Sequence, residues 1–258
     1  MNNSYTEEIF CLNYELEALA DLTIRSEAER WVPKFMIPSI ETEHLSRYQF
    51  AVDFVKGQQV LDIACGSGYG SYLLAKDGHA AHVMACDISE TSLRYGNHRY
   101  GHENVTRSYE DATKYRKEGF YDVAVSFETI EHLKEYEKFL QNIHFSLKSN
   151  GVFLVSTPIV PQTRTQCGNP YHVIEWSFYD FQELLKKYFT VESVHVQGLI
   201  PISKKVSLAG RVIRKLKKEL LSINEPQTPV NYHLEKFNNQ YRPEEILHGY
   251  QLLVCRKA

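Results

Sequence analysis

The segment Val60-Leu61-Asp62-Ile63-Ala64-Cys65-Gly66-Ser67-Gly68-Tyr69-Gly70 constrains the fold more than any other in the chain. A short apolar run ends in an acid and a glycine turn, and a helix is predicted at once, from about Gly70 to Lys76. Such a strand–turn–helix corner lets backbone N–H groups approach a ligand, and the helix N-terminus adds partial positive charge. A nicotinamide or flavin site would read GxGxxG and hold a pyrophosphate. Here the turn reads CGSGYG, with an acid ahead of the first glycine. That carboxylate would repel a pyrophosphate and can pair with an ammonium group. A plain corner with no ligand is the alternative.

The rest of the chain repeats the strand–helix alternation. Further strands are predicted at residues 82–87, 105–108, 121–126, 151–156 and 191–196, with a last one at 250–255. Helices are predicted over 41–56, 90–100, 135–147 and 177–188, and Leu12, Leu16, Leu19 and Ala20 mark an amphipathic helix near the start. Pro33 and Pro38 are read as breaks. Strands alternating with helices of this length indicate βαβ units and a parallel sheet. Apolar runs without clean alternation fit strands covered on both faces. The expected layout is an N-terminal helical cap over 1–56 and a core over 57–200. A basic helical insertion or cap follows over 201–249, and 250–258 returns to the core.

Composition excludes several classes. At 258 residues, 43% hydrophobic and 24% charged, the chain suits one large globular domain. A net charge of −3 gives no overall attraction for nucleic acid. No apolar run reaches the ~20 residues that span a bilayer. The acidic MNNSYTEEIF start does not read as a secretory signal. The five scattered cysteines form no CxxC, so a cytoplasmic, reduced protein is expected.

Two more signals follow the glycine turn. Asp87, at the end of the second strand, is placed to accept both hydroxyls of a ribose. Ser89 can cap the next helix in its stead. Glu110-Asp111-Ala112, after the third strand, can accept from an adenine amino group. Together these residues resemble class I S-adenosylmethionine-dependent methyltransferases. VLDIACGSGYG is similar to that family's first motif, ACDIS to the ribose motif and EDA to the adenine motif. YDVAVSFETIEHL resembles the segment after the fourth strand, and LKSNGVFLVSTP the fifth-strand hairpin. Cys65 stands where the first glycine of GxGxG is usual. The flanks Glu29-Arg30-Trp31-Val32-Pro33, Glu43-His44-Leu45-Ser46-Arg47-Tyr48 and Asn169-Pro170-Tyr171-His172-Val173 with Glu175 resemble a branch found with bacterial surface-glycan genes.

The resemblance implies a Rossmann-like sheet of seven strands, six parallel and the last antiparallel, with helices on both faces. It implies S-adenosyl-L-methionine as cofactor, held by Arg47, Asp62, Ala64, Gly66, Gly68, Asp87, Ile88, Asp111, Ala112, Phe127 and Glu128. Asp62 is expected to face the methionine amino group, directly or through water. The implied function is O-methylation of a sugar or glycan-linked small group. Two other classes stay open: a small-molecule O- or N-methyltransferase of secondary metabolism, and a non-catalytic cofactor-binding protein.

Methyl transfer from a sulfonium is an in-line displacement, so the protein must align the acceptor and exclude water. A hydroxyl acceptor also loses a proton. His132, after the fourth strand, and His172, after the fifth, are the candidate catalytic residues, because imidazole titrates near neutrality. Tyr171 and Glu175 are the candidate acceptor contacts. No metal is expected, since Glu128 and Glu131 are not joined by an Asp-Asp or Asp-Asn pair after the fifth strand. Lys204–Leu221 holds seven basic residues and one acid. It reads as a solvated face, an anionic-acceptor contact or a peripheral membrane contact, and the whole 201–249 insertion as a cap or a homodimer contact.

Overall fold

The computed structural model describes residues 2–20, 32–34, 38–202, 230–238 and 242–258. Six helices and nine strands are found among them. The helices are α1 (Asn2–Ala20), α2 (Pro38–Val52), α3 (Tyr69–Lys76), α4 (Glu90–Arg99), α5 (Tyr136–Ser146) and α6 (Phe178–Lys186). The strands are β1 (Gln59–Ile63), β2 (His82–Asp87), β3 (Val105–Tyr109), β4 (Tyr121–Phe127) and β5 (Leu147–Val160). They continue with β6 (Trp176–Ser177), β7 (Thr190–Pro201), β8 (Glu235–Lys236) and β9 (Ile246–Arg256).

All nine strands join one sheet in the order β3-β2-β1-β4-β5-β9-β7-β8, with β6 paired to β5. The pairs β2–β3, β1–β2, β1–β4 and β4–β5 are parallel. β9 runs antiparallel between β5 and β7. The expected seven strands are therefore present, but the sheet has nine. The two additions, β6 and β8, are two residues long, too short for any hydrophobic period to mark them.

Successive residues of the central strands feed opposite faces, as a pleat requires. Leu61, Ile63, Ala124, Phe153, Val155 and Leu253 pack with Phe139, Leu140 and Ile143 of α5 and with Phe181 and Leu185 of α6. Val60, Val123, Val125, Leu154 and Leu252 pack with Ala51 of α2 and Leu74 and Ala75 of α3. Both faces are covered, which is why these strands read as continuous apolar runs. Burying one such Leu or Phe side chain contributes about 1.5–3 kcal/mol.

Pro38 is the first residue of α2 rather than a break. A first-turn proline lacks only an N–H that would have no helical partner. α2 also ends at Val52, earlier than predicted, and Gly57 then takes φ +72°. The helical cap divides in two. α2 packs on α3, and α1 packs on α4 through stacked Tyr14 and Tyr95 rings, 4.4 Å between centroids. Ion pairs Glu7–Arg94 and Glu15–Arg99 border that contact. The basic stretch 204–221, and Glu29, Arg30 and Trp31, lie outside the described residues.

Candidate functional site

A cavity of about 960 Å³ opens where β1, β2 and β4 end, with α1 and α2 contributing Tyr14, Ile40 and Arg47 to its wall. Open parallel sheets bind ligands at this edge. The glycine turn forms one side. Ala64 and Gly66 both take positive φ, +63° and +55°. For Ala64 this is a strained conformation of the kind concentrated at binding sites. A Cβ on Gly66 would meet no heavy atom within 4 Å, so the turn presents bare backbone to open space.

Asp87 locks the turn from the neighbouring strand. Its Oδ2 accepts the Gly66 N–H at 2.8 Å, and its Oδ1 accepts the Ser89 N–H at 2.9 Å. Burial pushes the Asp87 carboxyl up, against the pull of these backbone donors. Each oxygen keeps a second lone pair, enough for a diol. Ser89 caps α4 by accepting the Ser92 N–H at 3.2 Å. Ile88, an exposed apolar side chain, lies beside Asp87 on the wall with Asp111 and Ala112. The Thr113 hydroxyl and then Lys114 hold the Asp111 carboxyl down at about 2.

Of the two routes expected for Asp62, direct and through water, the structure bears on the direct one only. Asp62 is fully buried and off the cavity wall. The Tyr48 hydroxyl donates to one carboxylate oxygen at 3.0 Å and the Ser71 hydroxyl to the other at 2.6 Å. Tyr48 reaches it because Gly70 has no side chain; a Cβ there would fall 2.0 Å from the Tyr48 ring. Asp62 therefore ties α2 and α3 to the turn, and direct contact with an amino group is closed to it. Gly68 is also off the wall. At φ +82° its missing Cβ leaves room for Arg107, whose Nε and Nη2 would lie 3.1 Å away.

Burial raises the Asp62 carboxyl to about 6, although Ser71 and Tyr48 pull it down. Burial likewise raises Glu43 to about 7, with Arg47 opposing. Ordinary values are 3.8 and 4.5. Both groups bind protons more tightly folded than unfolded. Their stabilisation is full below about pH 4 and is lost as pH rises through 6 to 7. The ligand-free protein is expected to melt lower at pH 8 than at pH 5. Asp62 alone contributes about 1.4 kcal/mol to that difference, the one pKa unit that remains between pH 5 and its folded value of about 6. Thermal unfolding of wild type, Asp62→Asn and Glu43→Gln across this range checks it; equal slopes in all three would remove these groups as the cause.

Arg47 is 1% exposed, and its Nε donates to Gln197 Oε1 at 2.7 Å. Its guanidinium lies 4.7 Å from the Tyr250 ring centroid and 3.6 Å from Glu128 Oε1. Nη1 and Nη2 have no hydrogen-bond partner among the described residues. Two buried donors on a cavity wall suit an anionic ligand group. Glu128, at φ +51°, accepts the Ser156 hydroxyl at 2.6 Å and lies beside Phe127.

The far end of the cavity is polar and loop-built. A 3-10 turn over Ile130–His132 carries Glu131 and His132. His132 Nδ1 lies 3.2 Å from the Tyr171 carbonyl, so it is the protonated nitrogen and Nε2 carries the lone pair. His172 Nδ1 lies 2.7 Å from Glu175 Oε1. Glu175 also accepts Arg164 Nε at 2.7 Å. Its burial raises the carboxyl, but His172 and Arg164 outweigh that and hold it low. Burial drives Glu131 well above its ordinary range, and the Glu128 charge adds to the effect.

Thus the fold gathers His132, His172, Tyr171 and Glu175 at one end, and Arg47, Ala64, Gly66, Asp87, Ile88, Asp111, Ala112, Phe127 and Glu128 around the rest. Arg164, His248 and Tyr250 also line the cavity and were missed. The last two belong to β9, about 120 residues after His132, and no local pattern marks them. The absence of an Asp pair after β5 was the ground for expecting no metal. Ligand atoms of Glu131, His132 and His172 lie within 4.8 Å of one another, a grouping that a search for an Asp pair does not register.

Residues 54–223 match the model of a methyltransferase domain. The chain belongs to the methyltransferase-domain family. Within that family it is similar to the demethylmenaquinone methyltransferase of Clavibacter sepedonicus, 37% identical over 120 residues, 44% of this chain and 48% of that protein. It is also similar to the malonyl-acyl-carrier-protein O-methyltransferase of Bacillus cereus, 32% identical over 99 residues, 38% of this chain and 37% of that one. The chain spans about half the length of the curated relatives it matches. Among solved structures, the fold is shared with phosphoethanolamine N-methyltransferase 2 of Haemonchus contortus in complex with S-adenosyl-L-methionine. That match has a TM-score of 0.57 and 18% identity, over 99% of this chain and 58% of that one. The cyclase SpnF shares it too, with a TM-score of 0.56 and 15% identity, over 83% and 81%. A methyltransferase-family fold under a cyclase's name shows that the fold alone does not define the reaction.

Proposed function

We propose that this methyltransferase-family protein transfers a methyl group from S-adenosyl-L-methionine to a hydroxyl oxygen of a sugar or glycan-linked small group. The carrying observation is a single cavity that runs from the glycine turn and Asp87 to the His132–His172 pair. S-adenosyl-L-methionine fits the groups present: a diol acceptor at Asp87, bare backbone at Gly66, Arg47 guanidinium donors that have no hydrogen-bond partner among the described residues, and a carboxylate at Glu128 for an ammonium. When bound, it supplies a methyl group on a sulfonium, already activated for displacement. The chain's own residues do the remaining work. Asp87 fixes the ribose and Arg47 the carboxylate. Tyr171, Glu175 and Arg164 orient a hydroxyl-rich acceptor. His132 Nε2 stands ready to take the acceptor's proton. The polar character of this end supports a sugar over the flat apolar acceptors of many small-molecule methyltransferases.

The test is calorimetric titration with S-adenosyl-L-methionine, followed by mass spectrometry of reactions with nucleotide sugars and simple glycosides. Absence of both binding and methylated product would end the proposal. Asp87→Ala removes charge-assisted hydrogen bonds worth about 1.5–3 kcal/mol, so cofactor affinity is expected to fall tenfold or more. A folded Asp87→Ala protein with unchanged Kd would refute the assignment of Asp87.

A further inference from the structure

Both imidazoles at the acceptor end are held as metal-binding histidines are held. His132 donates Nδ1–H to the Tyr171 carbonyl, and His172 donates Nδ1–H to Glu175 Oε1. Each Nε2 is thereby the lone-pair nitrogen, with its ring orientation fixed from behind. His132 Nε2 lies 3.9 Å from Glu131 Oε1, and the two rings meet edge to face with centroids 4.8 Å apart. Glu175 is itself anchored by Arg164.

Charge points the same way. Glu131 is 1% exposed, and its Oε2 accepts the neutral Thr157 hydroxyl at 3.1 Å. Glu128 brings a second acid to the same wall, and the nearby cation, Arg47, approaches Glu128 at 3.6 Å. A buried carboxyl group is held either by a proton or by an accompanying cation, and a cation binding here would displace the proton.

The geometry points to a divalent first-row cation bound by the Glu131 carboxylate and the Nε2 atoms of His132 and His172. Glu175 and the Tyr171 carbonyl orient the ligands without touching the ion. Two imidazoles and a carboxylate favour Zn²⁺, Co²⁺, Mn²⁺ or Fe²⁺ over Mg²⁺, which prefers an all-oxygen shell. Bonds of ~2.1 Å in a tetrahedral site place ligand atoms roughly 3.4 Å apart, so the His132–Glu131 pair, at 3.9 Å, would close by about 0.5 Å and no pair by more than about 1.4 Å. The Asn169 amide, 3.0 Å from His172 Nε2, is the group that would yield.

Three protein ligands leave open positions facing the cavity. Two adjacent hydroxyls of an acceptor suit them, which rests on the proposed methyl transfer. A hydroxyl beside the cation is more acidic. With the ion bound, His132 Nε2 is a ligand in place of the base: the hydroxyl's proton passes to water, its oxygen pair forms the O–CH₃ bond, and the C–S bonding pair returns to sulfur.

The test titrates Co²⁺, then Zn²⁺ and Mg²⁺, into the EDTA-treated full chain, read by calorimetry and visible absorbance. One equivalent of Co²⁺ is expected, with d–d bands, displacement by Zn²⁺ and no comparable Mg²⁺ binding. The double variant His132→Ala/His172→Ala should weaken Co²⁺ binding at least a hundredfold, and Glu175→Gln ten- to a hundredfold. Circular dichroism in EDTA establishes that each variant folds; the partly exposed His132 side chain can be removed without opening the core. Equal Co²⁺ binding by wild type and double variant overturns the site, as does Mg²⁺ binding as tight as Zn²⁺. S-adenosyl-L-methionine is titrated into the same samples. Cofactor binding without Co²⁺ binding overturns the cation site alone. Co²⁺ binding without cofactor binding overturns the methyl-transfer reading and leaves the cation site.

Discussion

His132→Ala is expected to lower kcat by about two orders of magnitude while leaving the Kd for S-adenosyl-L-methionine within twofold. A positioned base contributes ~10²–10⁴-fold to a proton transfer, and alignment of the reactants accounts for much of the remaining acceleration. His132 touches the acceptor end only, and Asp87, Gly66 and Arg47 are untouched by its loss. The Tyr171 carbonyl fixes Nδ1 as the protonated nitrogen, so the lone pair on Nε2 is the functional feature. His172→Ala should act differently. His172 is bonded to Glu175 and Asn169 in the loop that carries Tyr171, so its loss should loosen the loop and raise the acceptor KM. Steady-state kinetics on the methylated acceptor decide. Near-wild-type kcat in His132→Ala with activity abolished in His172→Ala would exchange the two roles. Full activity in both would leave the acceptor needing neither imidazole, and an amine or an already ionised oxygen would then be the better acceptor class.

The two ends of the cavity were unequally legible in the sequence for a physical reason. The cofactor end is local. Asp62, Gly66 and Gly70 share one turn, and Asp87 completes it from the adjacent strand, so spacing alone marks it. Yet spacing did not separate a residue that faces a ligand from one that braces the turn. Asp62 and Gly68 fall in the pattern but point into the protein, toward Tyr48 and Arg107. Which way they face depends on α2 packing onto α3. Arg47 and Gln197 meet across 150 residues, and His248 reaches the cavity from β9. Pairings of this kind carry no sequence period. The fold was more legible than the site because both faces of the sheet are covered, which writes continuous apolar runs into β1, β4 and β5. The two-residue strands β6 and β8 write nothing comparable. Pro38 misled because a proline signals a break within a helix and a start at its first turn.

Arg47→Met is expected to weaken S-adenosyl-L-methionine binding ten- to a hundredfold. The buried Nη1 and Nη2 atoms lack hydrogen-bond partners among the described residues, and each such donor costs about 1–3 kcal/mol until a ligand satisfies it. A carboxylate is the matching group, because a guanidinium offers two parallel N–H donors. Methionine keeps most of the side-chain volume against the Tyr250 ring, so packing loss is small. The loss of the bond to Gln197 is the main structural side effect. A ligand comparison separates that effect from ligand recognition. S-adenosylhomocysteine and its decarboxylated analogue differ by the one group assigned to Arg47. Wild type should prefer the carboxylated ligand by the same ten- to hundredfold factor, and Arg47→Met should bind the two about equally. Arg47→Lys should recover part of the preference, since an ammonium restores charge without the paired donors. If Arg47→Met weakens both ligands by the same factor, the arginine only braces α2 against β7. The carboxylate must then be held elsewhere on the wall.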